Sequence, residues 1–324
     1  MSNMLLPRPV HHEFFCMSLA QQLHTLGHID QRFIPHQAHT QGLTWLSTMG
    51  LLRIHGHDVV RFLQGQLTCD VNTLNDQHWS LGACCTAKGR MVANFVIARK
   101  DNEVWLRMPR EQVSTLKQHL SKYAVFFKVT LDDISDEWVV LADNTLSNTT
   151  STTRALNWDT NERVLSWPQG LEYWLKTEQA LPRLSNAAHL IDEQQWRQAD
   201  DQQGIIWVNE PTREHWIPQN IDWHRHGGVS FNKGCYTGQE IVARLQYLGK
   251  SKKQLVRVYS PNALPLSILS KITDTEQRNL GELASWHTDS GLAIIDQQHT
   301  TNTVIIDSHP LEWHSIAYTD DNPS

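Results

Sequence analysis

The sequence predicts an α+β protein that ends in a small β-barrel, and three observations predict it. Helical and antiparallel-strand patterns alternate irregularly between residues 50 and 134, without the regular βαβ rhythm that builds a doubly wound parallel sheet. After Gln254 the pattern changes to short alternating stretches, LVRVYS, LSILSKI, GLAIID and NTVIID, separated by turn formers, as in a small barrel or sandwich. At 324 residues, with 40% apolar residues counted without glycine, the chain holds material for two or three lobes.

Residues 1–40 show weak helical periodicity in FFCMSLAQQLHTL and are read as an N-terminal extension. In GLLRIHGHDVVRFLQGQLTCDVNTL (50–74) a strand leads through Gly56 into an amphipathic helix whose apolar face is Val59, Val60, Phe62 and Leu63. The next stretch, CCTAKGRMVANFVIARKDNEVWLRM (84–108), reads as a hairpin with AKG at its turn. A helix is expected over 111–122 and a strand over FFKVTLDDI. Residues 146–162 are rich in Ser, Thr and Asn, offer little to bury, and are expected to form a loop or linker. The organisation expected is an extension (1–40), a core of two interleaved α+β lobes (41–250) and a barrel (251–324).

Composition removes several classes of function. No apolar run approaches the ~18 residues of a membrane span, and the N-terminus lacks the basic and apolar regions of an export signal, so no membrane partner is expected. Five cysteines, Cys16, Cys69, Cys84, Cys85 and Cys235, form an odd set without C-x-x-C spacing, which fits a reducing cytoplasm better than a disulfide framework or a zinc ribbon. A net charge of −6 opposes a whole-protein grip on nucleic acid. The basic run ARLQYLGKSKKQLVR (243–257), with Arg244, Lys250, Lys252, Lys253 and Arg257, is either a solvated loop or a local anion contact. Phosphate-loop, zinc-protease, nucleophile-elbow and dinucleotide motifs are missing, and the pairs His11-His12 and His224-x-His226 lack ligand spacing, so no metal is expected.

The segment FNKGCYTGQEIVAR (231–244) carries the chemistry. Thr237-Gly238-Gln239-Glu240 fits a capping box, with Tyr236 and Ile241 as a hydrophobic staple and the helix starting at Gly238. Cys235 would then lie just outside a helix N-terminus, with Lys233 two residues away and Gly234 easing a sharp turn; dipole and ammonium would both favour its thiolate. The bland alternative is a small buried hydrophobe, the reading given to Cys84 and Cys85, which should point to opposite faces of a strand.

KGCYTGQEIVAR resembles, without a gap, the signature of the YgfZ-type folate-binding proteins, a branch of the superfamily built around the aminomethyltransferase (T-protein) of the glycine cleavage system. GGVSFN, IPQ (217–219), Trp196 and Gly204 extend the likeness upstream, and FLQGQLTCDV, AKGRM and LSKYAVFFKVTL look like family segments in the N-terminal half. The resemblance implies a multi-lobed ring of mixed and antiparallel sheets with helices around a central opening, a C-terminal barrel, and a tetrahydrofolate-type ligand. It also implies a role in maintaining iron–sulfur enzymes, one of which modifies tRNA. Carried over, Lys233, Gly234, Cys235, Tyr236, Thr237, Gly238, Gln239 and Glu240 take the signature positions, with Arg244 closing the motif. Trp196 takes a pterin-contacting position, and Gln239 or Glu240 would pair with ring nitrogens. Where the family often has a second tryptophan this chain has Met49, with Trp45 shortly before it.

Three functions follow. The first is a folate-binding accessory protein of iron–sulfur enzymes, with Cys235 as working thiol, Lys233 as its activator, and those enzymes or their assembly factors as partners of a monomeric chain. The second is a folate-dependent aminomethyl transferase, against which stands the cysteine that the T-protein signature usually lacks. The third is a non-catalytic RNA- or protein-binding scaffold resting on the basic run alone. No stable direct contact with tRNA is expected under the first.

Overall fold

A computed structural model describes residues 40–146, 154–248, 252–296, 298 and 303–318. Residues 1–39 of the expected extension and Lys250 of the basic run lie outside the described residues. Along the chain, β1 (Leu43–Trp45) and β2 (Met49–His55) lead to α1 (Val59–Gln64), then β3 (Ser80–Cys85), β4 (Met91–Lys100), β5 (Glu103–Pro109), α2 (Arg110–Ala124), β6 (Thr130–Asp133) and β7 (Trp138–Asp143). Next come β8 (Leu156–Trp158), β9 (Glu162–Trp167), β10 (Gly170–Lys176), α3 (Thr177–Ser185), α4 (Glu193–Gln203) and α5 (Gln239–Leu248). The chain closes with β11 (Lys253–Tyr259), β12 (Lys271–Thr273), β13 (Asn279–His287), β14 (Ser290–Asp296), β15 (Thr303–Ile306) and β16 (His309–Ser315).

Three sheets result, each built of antiparallel pairs. One has the order β3-β4-β5-β2-β6, the second β1-β7-β10-β9-β8, and the last six strands close into a barrel, β11-β14-β13-β12-β15-β16. Helices α1 and α2 cover one face of the first sheet through Val59, Phe62, Leu63, Val113, Leu116 and Leu120. Its other face joins a large common interior that holds nine of the thirteen tryptophans, among them Trp105, Trp174, Trp196, Trp207 and Trp223. Period-two alternation decides this division: Cys84 faces the helices and Cys85 the common interior, across a bulge in the β3–β4 pair.

The sheets are tied by a buried ion pair. Arg107 on β5 donates from Nε and Nη2 to both oxygens of Glu172 on β10, at 3.0 and 2.8 Å, and Trp174 Nε1 donates to the same carboxylate at 2.6 Å. Trp207 lies 4.3 Å from the Arg107 guanidinium. Such a pair persists in an interior because hydrogen bonds and ring faces replace the lost water.

Three expectations need correction. Of FFKVTLDDI only Thr130–Asp133 is strand, and Val125 and Phe126 stand 74% and 80% exposed at the end of α2. The linker expected over 146–162 contains the edge strand β8 and the start of β9, because Leu156 is buried against Leu165 in the common interior. Helix α5 starts at Gln239, since Gly238 sits at φ +87° and cannot be its first turn. Among the described residues no helix is long and apolar enough to cross a membrane.

Candidate functional site

The signature segment is a clasp between distant parts of the first lobe. Lys233 is 8% exposed, and its ammonium donates to the carbonyls of Gln64, Leu67 and Cys69 at 2.8, 2.7 and 2.8 Å, at and beyond the C-terminal end of α1. A lysine has three donors, and all three are used. Burial draws its pKa down to about 8, against the opposing pull of Cys69 and Asp70. Thr237 N–H donates to Gly65 O at 3.2 Å, so the motifs FLQGQLTCDV and KGCYTGQE are halves of one junction. Gly238 then passes over the β3–β4 turn so closely that a Cβ there would lie 2.4 Å from Thr86 O and 3.1 Å from Gly89 Cα. The segment AKGRM is thus the seat on which α5 rests.

This geometry corrects two expectations. Lys233 is committed to three carbonyls, so it serves the packing of α1 and has no N–H donor left to offer the Cys235 sulfur. The capping box is replaced: the Thr237 amide is held by Gly65, Gln239 N–H donates to Tyr236 O, and Glu240 is exposed. Cys235 itself is exposed, Gly234 beside it has open space around it, and Tyr236 is buried with its ring 5.2 Å from Lys233 Nζ. Cys69, Cys84 and Cys85 are buried, and burial pushes the first two thiols up to about 12 and the third well above its ordinary value.

The expected aromatic clamp is also corrected. Trp196 is 2% exposed and packed in the common interior, so neither face of its indole is open to a ligand. Met49 is 4% exposed with its sulfur 3.8 Å from Arg107 Nη1. Trp45 packs beside Leu43, Val139 and Leu141 in a separate cluster. Gln239 is half-buried at the start of α5, and Arg244 is exposed on that helix.

A different constellation lies one residue beyond Trp196. Helix α4 is fixed at both ends, by Asp192 Oδ1 accepting from Gln194 N–H at 2.8 Å and by Gly204 at φ +76° donating to Asp201 O. Its residues Arg197, Asp200 and Asp201, spaced i, i+3 and i+4, share a face. That face lines a cavity of about 460 Å³, to which Thr48 comes from between β1 and β2, Trp207 from the segment after α4, and Ser285, Trp286 and His287 from the barrel. Sequence reading passed over these residues, although the pattern R-x-x-D-D directly after Trp196 was there to be seen.

The cavity carries buried acid. Asp200, 3% exposed, accepts from Gln169 Nε2 at 3.0 Å and Trp207 Nε1 at 2.9 Å, and burial raises its pKa to about 6 against the field of Arg107. Asp201, 8% exposed, accepts from Ser285 Oγ at 2.9 Å and is raised well above its ordinary value by burial. His287 Nε2 lies 3.4 Å from Asp201, but burial, reinforced by Arg197, holds the imidazole down at about 4. At neutral pH this contact is therefore not an ion pair. Asp200 and Asp201 as acceptors, the Arg197 cation and the indoles of Trp207 and Trp286 form a lining suited to a flat ring with N–H groups on its edge.

The fold defines a class. The GCVT N-terminal domain family matches residues 35–142. The aminomethyltransferase T of the glycine cleavage system from Bartonella henselae superposes with a TM-score of 0.67 over 86% of this chain and 87% of that one, at 14% identity, which shows a common fold. Within that class the relatives are more specific. The tRNA-modifying protein YgfZ of Vibrio atlanticus is 31% identical over 261 residues, 76% of this chain and 79% of the relative. That of Colwellia psychrerythraea is 29% identical over 77% of this chain and 82% of the relative, and that of Sodalis glossinidius 35% identical over 65% and 69%. The chain belongs to the family of the tRNA-modifying protein YgfZ.

Proposed function

We propose that this chain is a folate-binding protein that supports tRNA modification by maintaining iron–sulfur enzymes, with folate in the α4 cavity and Cys235 as the working thiol. The observation that carries the folate reading is the cavity on α4. A reduced pterin is a flat heterocycle with N–H donors on one edge, and it needs acceptors in its plane and a ring beside it. Asp200 and Asp201 supply acceptors whose raised pKa values record missing water, a loss that ligand N–H donors would offset. Trp207 and Trp286 supply the ring contact, and Arg197 a partner for a carboxylate. Bound tetrahydrofolate would supply the N5/N10 edge at which one-carbon chemistry takes place. On this reading the folate-binding core spans residues 41–250, and the barrel closes one wall of its cavity through Ser285, Trp286 and His287.

Exposure supports the thiol reading, because Cys235 is the one cysteine among the described residues that solvent reaches. The net charge of −6 supports an indirect action on tRNA, since direct binding needs a cation for each phosphate contacted. Titration of tryptophan fluorescence with tetrahydrofolate tests the site: Asp201→Ala and Arg197→Ala should each weaken binding about fivefold or more, which corresponds to about 1 kcal/mol. Unchanged affinity in both variants would remove folate from this cavity. In cells, Cys235→Ala should lower iron–sulfur enzyme activity together with modified tRNA. Tight, salt-resistant binding of tRNA to the purified protein, with iron–sulfur activities intact in that strain, would replace this reading with direct RNA binding.

A further inference from the structure

The C-terminal end of α2 exposes apolar side chains that neither the α4 cavity nor Cys235 uses. Val125 and Phe126 are 74% and 80% exposed, and Tyr123 beside them 37%. A single exposed apolar side chain is ordinary, but three within four positions form a patch. The structure fixes these side chains outward. Phe127, the next residue, turns inward, with its ring 5.2 Å from that of Phe62 on α1 and its N–H donating to Ala124 O at 2.9 Å. Asp58 Oδ2 accepts from Lys128 N–H at 2.9 Å, and Asp58 N–H donates to Lys128 O at 3.4 Å. With Phe127 seated and both sides of Lys128 bonded, Phe126 is presented by a settled backbone. An anchor held in this way loses little freedom when a partner closes on it.

The rim of the patch is basic. Lys122, Val125 and Phe126, spaced i, i+3 and i+4, share a face of the helix end, where Val125 keeps helical dihedrals. Lys122 and Lys128 are exposed, and Arg61, 69% exposed, holds its guanidinium 5.1 Å from the Phe127 ring. Asp58, the acid in contact with them, is occupied by the Lys128 amide and by Arg61 at 3.4 Å, so cations prevail here in a chain of net charge −6. A stable protein interface takes about 800 Å² from each side, more than three side chains supply, so a partner must also cover the basic rim and match it with acid. A second copy of this chain would set like charge against like. RNA would match the cations, but Val125 offers no ring face on which a base can stack. We infer that the end of α2 docks another protein, one with an apolar pocket edged by carboxylates, and that Phe126 is the side chain that enters the pocket.

Photo-crosslinking of the full chain in living cells tests the inference, with p-benzoylphenylalanine in place of Tyr123 so that Phe126 stays intact. A discrete protein adduct should form, with its attachment mapped to a segment of the partner that carries Asp or Glu beside apolar residues. Phe126→Ser should lower the adduct yield about fivefold or more, and so should Lys122→Glu combined with Lys128→Glu. Changing the mapped acids of the partner to Lys should restore the adduct with the charge-reversed chain. The three substituted positions are exposed, so the urea midpoint of each purified variant should match that of the parent. Absence of a protein adduct, or an adduct to RNA, to lipid or to a second copy of this chain, would overturn the inference. So would a yield indifferent to Phe126→Ser or to charge reversal, or a charge exchange that restores nothing.

Discussion

Replacing Lys233 by Met tests whether this lysine is a structural clasp or the activator of a thiol. The substitution keeps the volume of the stem and removes an ammonium whose three donors reach Gln64 O, Leu67 O and Cys69 O at 2.7 to 2.8 Å. Each carbonyl left without a donor costs about 1 kcal/mol or more, and bonds from a charged donor are the stronger kind, which gives a gross loss of about 3 to 5 kcal/mol. Relief of the burial that draws the lysine down to about 8 offsets part of this, leaving a net loss of about 2 to 4 kcal/mol. Urea unfolding followed by the buried tryptophans should show a lower midpoint with an unchanged slope. Labelling of Cys235 with a limiting alkylating reagent should not slow in the variant. A stability loss under about 0.5 kcal/mol, together with markedly slower labelling, would refute the clasp and return Lys233 to the thiol.

Three further outcomes are expected. With limiting reagent and peptide mapping, Cys235 should be alkylated well ahead of Cys69, Cys84 and Cys85, because those three are buried with raised pKa values; labelling of Cys69 first would contradict this. Gly238→Ala should cost about 2 kcal/mol or more, since the new methyl meets Thr86 O at 2.4 Å from a residue at φ +87°, and thermal unfolding within a degree of wild type would show that the α5 seat yields freely. His226 is drawn down to about 4 by burial and by Arg154, so the unfolded chain takes up a proton near 6.5 before the folded one does. Its neutral form therefore contributes stability fully above pH 6.5, and that contribution, up to about 3 kcal/mol, is lost as the pH falls towards 4. His226→Gln should flatten this part of the stability curve, and parallel curves for variant and wild type in urea titrations at several pH values would contradict it.

Local pattern carried much of this protein. The β2–α1 unit, the hairpin strands about AKG, helix α2 and the closing barrel were legible because each is specified by periodicity and turn residues within about ten to twenty positions. The twelve residues KGCYTGQEIVAR pointed to the family on their own, as a contiguous motif can. Sequence could not show which partners those residues take. Lys233 and Cys235 are two positions apart, yet the lysine turns inward to carbonyls some 165 positions earlier while the cysteine faces solvent, a choice made by where α1 ends in space. Likewise Trp196 and Arg197 are neighbours on one helix, and only the packing of α4 against sheets and barrel sends the indole into the interior and the guanidinium into a cavity. The candidate site therefore gathers Thr48 from the β1–β2 link, Asp201 from α4 and His287 from the barrel, a coincidence of distant residues that short-range periodicity does not encode and tertiary packing alone decides.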